Sequence, residues 1–146
     1  MDPDMPLAPS GATVRRQTDL AADPAAVWDA IADFGAVHTR VVPGFLTALA
    51  LDGSDRIVTF ATGVVAREAF ISRDDTLRRL VYAIPEGPFR SYSAAFEVAA
   101  APAGARVTWT IDLAPASFAG YVGGMMDEAL PIMRRMLEPA GRAGAG

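Results

Sequence analysis

The chain has 146 residues, enough for one domain that buries roughly 68–70% of the surface its unfolded form exposes. With 17 acidic against 13 basic residues the net charge is −4, which denies it the basic surface a phosphate backbone requires, so no nucleic-acid partner is expected. It has no cysteine, no lysine and one histidine, which excludes disulfides, thiolate nucleophiles, side-chain Schiff bases and multi-histidine metal centres; neither a metal nor a cofactor is expected.

Residues 1–12 (MDPDMPLAPSGA) and 139–146 (PAGRAGAG) are rich in Pro, Gly and Ala and lack periodicity. They are expected to be disordered, leaving 13–138 as a single domain. The start carries no basic segment, and no apolar run reaches the roughly 18–20 residues that span a bilayer, so the expectation is a cytoplasmic protein without stable membrane insertion. TVRRQTDL (13–20) reads as a first strand. Asp23-Pro24 then supplies a helix start, and Val27, Ile31 and Phe34 recur at helical spacing with Asp29 and Asp33 on another face, which predicts a short helix over 24–34. Gly35 ends it, and a second short helix or turn runs to about Arg40 before Pro43-Gly44 breaks the chain.

From there the pattern is strand after strand: FLTALALD, DRIVTFA, VVAREAFIS, LRRLVYAI, RSYSAAFEVA and ARVTWTIDL, separated by short Gly, Asp and Pro signals as antiparallel hairpins require. In the last, Val107, Trp109, Ile111 and Leu113 alternate with Thr108, Thr110 and Asp112, so one face is buried and the other wet. SFAGYVGGMMDEALPIMRRMLE (117–138) is the long C-terminal helix. Its Gly123 and Gly124 weaken it and Pro131 removes one hydrogen bond, which predicts a bend between Asp127 and Pro131 and a pocket beneath the two glycines. A lone long helix with an apolar stripe must lie across the sheet. The fold class is therefore α+β: a curved antiparallel sheet of about seven strands wrapped around the C-terminal helix, with two short helices after the first strand.

Three segments in this order, DPAAVWDAIADFG (23–35), GVVAREAFISRDDTLRRLVYAIPEGP (63–88) and RVTWTIDLAP (106–115), resemble the SRPBCC superfamily. This is the helix-grip fold of START-like lipid-transfer domains and of bacterial polyketide cyclase/dehydratases. The resemblance implies a deep apolar cavity between the sheet and the C-terminal helix that holds a lipid, polyketide or other hydrophobic molecule. It does not imply one reaction, because one fold hosts many functions.

Strand parity points to candidate cavity residues. Tyr92, Phe96 and Arg90 share a face opposite Ser93 and Glu97; Tyr82 lies with Leu80 and Ile84; Glu68 lies with Val64, Ala66 and Phe70. A carboxylate on an apolar strand face can serve as a general acid or base, and it can equally pair with Arg67, Arg79 or Arg90 at the sheet surface. Tyr82 and Tyr92 can donate to a carbonyl or enolate oxygen, or only contribute ring area. His38 follows the first helix, near what the resemblance implies is a cavity edge, and histidine is the side chain that most readily changes charge near neutral pH. Glu68, His38 and Tyr82 are thus the catalytic candidates. Arg90, Tyr92, Phe70, Phe96, Trp109, Tyr121, Gly124, Met125 and Met133 are the ligand-binding ones, the methionines for their ability to repack around varied shapes.

Two functions follow from these residues. The first is a cofactor-independent, polyketide cyclase/dehydratase-like enzyme that folds a reactive poly-carbonyl substrate, so that orientation supplies much of the acceleration. The second is a non-catalytic carrier or sensor of a lipid or other hydrophobic ligand. Either works as a monomer or homodimer. An accessory domain with an incidental cavity is a third option, disfavoured because a rigid dry void of roughly 300 Å³ costs about 7 kcal/mol.

Overall fold

A computed structural model describes residues 10–139. The chain runs β1 (Ala12–Leu20), α1 (Pro24–Ala32), α2 (Val37–Arg40), β2 (Leu46–Asp52), β3 (Asp55–Phe60), β4 (Val65–Asp74), β5 (Arg79–Ala83), β6 (Ser91–Ala101), β7 (Gly104–Ala114), a 3₁₀ turn (Ala116–Phe118) and α3 (Ala119–Leu137). The seven strands form one antiparallel sheet in the order β1-β7-β6-β5-β4-β3-β2, as the expected α+β architecture requires. The expected disordered ends fall almost wholly outside the described residues, and Ala12 already belongs to β1.

Alternation shapes the sheet. Val107, Trp109, Ile111 and Leu113 of β7 are buried, as are Tyr92, Ala94, Phe96 and Val98 of β6, so apolar side chains of both strands meet beneath α3. Register irregularities between Leu46 and Ala48 in β2 and between Phe70 and Ser72 in β4 bend the strands. At the β6–β7 hairpin, Gly104 has φ +140, and a Cβ there would lie 2.5 Å from the Ala22 carbonyl oxygen, so only glycine fits.

α3 presents Val122, Met126, Ala129 and Met133 to the sheet, each at most 1% exposed, at the i, i+4, i+7, i+11 spacing of a single helix face. Arg16 Nε donates to Asp127 Oδ1 at 2.7 Å, and just past the ends of β1 and α3 the Ala21 amide donates to Glu138 Oε2 at 2.8 Å, so the helix is fastened along β1 at its middle and at its end. α3 continues through Pro131, and the first residues of the expected helix form the 3₁₀ turn. Gly123 has a different role from the one expected: a Cβ on it would meet Arg16 Nη2 at 2.7 Å and Val14 Cγ1 at 3.5 Å. It lets α3 approach β1 closely and leaves no room beneath itself.

α1 ends at Ala32, two residues before the expected end. Phe34 is instead turned inward, edge-on to Phe70 with ring centroids 5.5 Å apart. On the other side of α1, Trp28 Nε1 donates to Asp75 Oδ1 at 3.0 Å and Arg73 Nη1 donates to the Ala32 carbonyl, which ties the helix to the β4–β5 hairpin.

Candidate functional site

The site begins with two facing strands. On β3, Arg56, Val58 and Phe60 share a face, and the β3–β4 register sets Glu68 directly opposite Arg56. Arg56 is 3% and Glu68 6% exposed, and Arg56 Nε donates to Glu68 Oε1 at 2.7 Å. They are the buried charged residues among those described. The guanidinium also donates to the Phe34 carbonyl at 3.2 Å and lies over the rings of Phe34 and Tyr82, 3.9 and 4.9 Å from their centroids. Two aromatic faces thus replace part of the water a buried guanidinium loses. The expected surface partners of Glu68 are not used: Arg67 pairs with Asp52 and Asp55, and Arg90 is exposed.

Beyond the pair, the sheet offers an aromatic wall. Tyr82 of β5, Phe96 of β6 and Trp109 of β7 stack in sequence, with Tyr82–Phe96 and Phe96–Trp109 centroids 6.4 and 4.8 Å apart. Burial, followed by the negative charge of Glu68, pushes the Tyr82 phenol far above its ordinary 10.0, while Arg56 and Trp109 pull weakly the other way. Burial also raises Tyr92, with Tyr82 and Glu68 adding to it. Both phenols therefore stay protonated and act as hydrogen-bond donors rather than bases. The Trp109 Nε1–H meets no acceptor at standard geometry, and its looser hydrogen bond toward the Tyr82 oxygen is the smallest of the influences on that phenol.

These residues enclose an inner chamber of about 40 Å³, also walled by Val37, Val41 and Val42 near α2 and by Met125 and Met133 of α3. Next to it lies an outer groove of about 320 Å³, bounded by Thr62 and by Gly120, Tyr121, Gly124 and Glu128 on α3. Phe45, Phe60 and Met125 line both, so these side chains form the partition. Phe45 and Phe60 meet edge-on with centroids 5.6 Å apart. The expected single deep cavity is thus divided. At about 24 cal/mol per Å³ the inner part, about 40 Å³, would cost only about 1 kcal/mol even if dry, so volume alone no longer argues against an incidental cavity.

The structure brings Glu68, Tyr82, Tyr92, Phe96, Trp109, Met125 and Met133 to the inner chamber, and Tyr121 and Gly124 to the outer groove, where Tyr121 is 61% exposed. Three expected site residues lie elsewhere. Arg90 precedes β6, is exposed and borders neither compartment; its backbone amide donates to the Ala114 carbonyl. His38 sits on α2 beside lining residues Val37 and Val41 but lines neither compartment; its Nδ1 is buried without a partner among the described residues. Phe70 borders a separate outer groove with Phe34, Arg40 and Arg73, since the bulge after it turns this part of β4.

Sequence reasoning missed Arg56, Phe45 and Phe60. A signal existed for two of them: in DRIVTF, Arg56 and Phe60 share the parity of Val58, the fully buried member of the strand. Arginine usually directs its charge to water, which made the inward position unexpected.

The model of a family described as polyketide cyclase / dehydrase and lipid transport matches residues 11–145. Among solved structures, a Thermobifida fusca protein is similar at 28% identity and TM-score 0.69, covering 86% of this chain and 89% of that one. Ginseng major latex-like protein 151 from Panax ginseng is 18% identical with TM-score 0.71, over 90% of this chain and 100% of that one. The protein XoxI from Bacillus cereus is 16% identical with TM-score 0.70, over 88% and 95%. The last two likenesses concern the fold. A search of curated proteins gives no match. A family match over nearly all of the chain, together with a seven-stranded sheet gripping α3, establishes that the chain belongs to the polyketide cyclase/dehydrase and lipid-transport family of the SRPBCC superfamily.

Proposed function

We propose that this protein binds a hydrophobic small molecule between the sheet and α3, with the ligand's polar end against the Arg56–Glu68 pair and its apolar body along Phe45, Phe60 and Met125. The observation that carries this reading is the buried pair. Desolvating two charges costs several kcal/mol per ion, and exchanging such a pair for apolar residues is often neutral or stabilising by about 1–4 kcal/mol. The pair is thus of little use to stability, and it borders a chamber. A polar feature at the end of an apolar pocket is what orients a ligand.

A carrier or sensor role is favoured by the state of the proton-moving groups. Glu68 is engaged by Arg56, His38 stands off the lining, and both phenols hold their protons. The cyclase/dehydratase reading draws on the same phenols: Tyr82, whose ring lies beside the Arg56 guanidinium, would donate to a developing enolate oxygen, with Glu68 as the acid–base group. In either role residues 13–138 act as one unit, in the cytoplasm, as monomer or homodimer.

Native mass spectrometry of freshly purified protein, with titration by the apolar fluorophore N-phenyl-1-naphthylamine, tests binding. A co-purified small molecule or saturable fluorescence enhancement is expected; the absence of both would sink the proposal. Incubation with a short poly-β-ketone thioester separates the roles, since cyclisation above the background rate requires the enzyme reading.

A further inference from the structure

The two compartments differ in what they can hold. One benzene ring fills an apolar space of about 150 Å³, and a single water position needs about 10–15 Å³. The outer groove, about 320 Å³, therefore has room for a ring system. The inner chamber, about 40 Å³, has room for about three water-sized groups and none for a ring. Its walls do not yield: Tyr82, Phe96 and Trp109 stack on one another at no more than 6% exposure, and Arg56 and Glu68 are held together at 2.7 Å.

The partition between them is stiff on one side and soft on the other. Phe45 and Phe60 stand edge-on with centroids 5.6 Å apart, and their backbones are locked into paired strands: the Phe45 carbonyl accepts from the Ala61 amide at 3.0 Å, and Leu46 lies opposite Phe60 in the β2–β3 register. Met125, which lines both compartments from α3, is unbranched and the adaptable member of the three. Turning one methionine aside opens a slot for a single polymethylene chain, whereas a fused ring would have to displace a phenyl seated on paired strands. We infer that Phe45, Phe60 and Met125 select ligands by shape: the inner chamber admits the end of one unbranched chain whose remainder lies in the outer groove, and ring systems stay in the groove. This rests on the proposed function, in that it takes the pocket to hold a ligand.

The test uses the full chain with 1-decanol and 2-naphthol, which match in carbon and hydroxyl count and differ in shape. Both should displace N-phenyl-1-naphthylamine, a ring-bearing reporter of the outer groove. Trp109 lines the inner chamber and Trp28 lines neither compartment, so their indole resonances in nuclear magnetic resonance spectra report entry. Saturating 1-decanol should move the Trp109 signal, saturating 2-naphthol should leave it in place, and Trp28 should respond to neither. Phe60→Ala removes one phenyl of the partition; in that variant 2-naphthol should also move the Trp109 signal, and its affinity relative to 1-decanol should rise roughly fivefold. If Phe60→Ala does not fold, the two wild-type spectra decide. A wild-type Trp109 signal moved by 2-naphthol, one unmoved by 1-decanol, or continued exclusion of 2-naphthol from Phe60→Ala would overturn the inference, while displacement of the reporter preserved the pocket reading. If neither reporter nor competitor binds, both readings fall.

Discussion

Replacing Glu68 with leucine tests the buried pair directly. Arg56 would keep its bond to the Phe34 carbonyl and its two ring contacts but lose the one countercharge within salt-bridge distance. Unlike a carboxylate, a guanidinium cannot escape by giving up its charge. Removing one partner of a buried pair costs about 3–5 kcal/mol, against a total stability of about 5–15 kcal/mol for a domain, so Glu68→Leu should fold but be much weakened. For a chain of this length each kcal/mol shifts Tm by about 3–5 °C, which places the variant about 9–25 °C below wild type. The double variant Arg56→Met/Glu68→Leu removes both charges and should return to within about 1 kcal/mol of wild type or exceed it. Urea unfolding followed by circular dichroism, with calorimetry for Tm, measures both, and an unchanged m value confirms that stability alone has moved. The reasoning fails if Glu68→Leu lies within 1 kcal/mol of wild type, or if the double variant is as unstable as the single one.

The two helix glycines should respond differently. Gly124 faces open space in the outer groove, so Gly124→Leu is expected to gain about 0.5–1 kcal/mol of helix stability while weakening N-phenyl-1-naphthylamine binding at least tenfold; unchanged binding would remove the groove from the ligand path. Gly123→Ala has to displace Arg16 from Asp127, so it should gain measurably less in thermal unfolding than Gly124→Ala. Alkaline titration tests the phenols: burial raises Tyr82 and Tyr92 above 10.0, so the stability they contribute is complete below that pH and lost above it. Phenolate absorbance from two of the three tyrosines should therefore appear only with unfolding. At low pH the sign reverses. The bonds from Arg106 to Asp19 and from Arg73 and Trp28 to Asp75 hold both carboxyls below 3.8, so stability is present above that pH and falls on acidification through the depressed values. Asp19→Asn/Asp75→Asn should flatten the decline in urea midpoint between pH 5 and 2.5.

Much of the fold was legible because it is written locally. The pleat forces period-two alternation, so the inward faces of β6 and β7 could be read from Tyr92, Phe96, Trp109 and Ile111 alone. The absent residue types removed whole chemistries before any geometry was known. The site was legible only in part. Glu68 stood out as an acid among apolar neighbours, yet its partner depends on which residue of β3 lies opposite, and sequence supplies several arginines without saying which one is aligned. The adjacent Gly123 and Gly124 look alike in sequence; about 100° of helical rotation sends one against β1 and the other to the outer groove. The termination of α1 before Phe34, and hence the ring over Arg56, follows from packing that periodicity does not encode. What the sequence by itself determined was the elements, their order and their buried faces, because propensity and alternation act over a few residues. Only tertiary structure decided the Arg56–Glu68 pairing, the stacking of Tyr82, Phe96 and Trp109 and the division of the cavity, because these depend on strand register and on side chains that meet from distant parts of the chain.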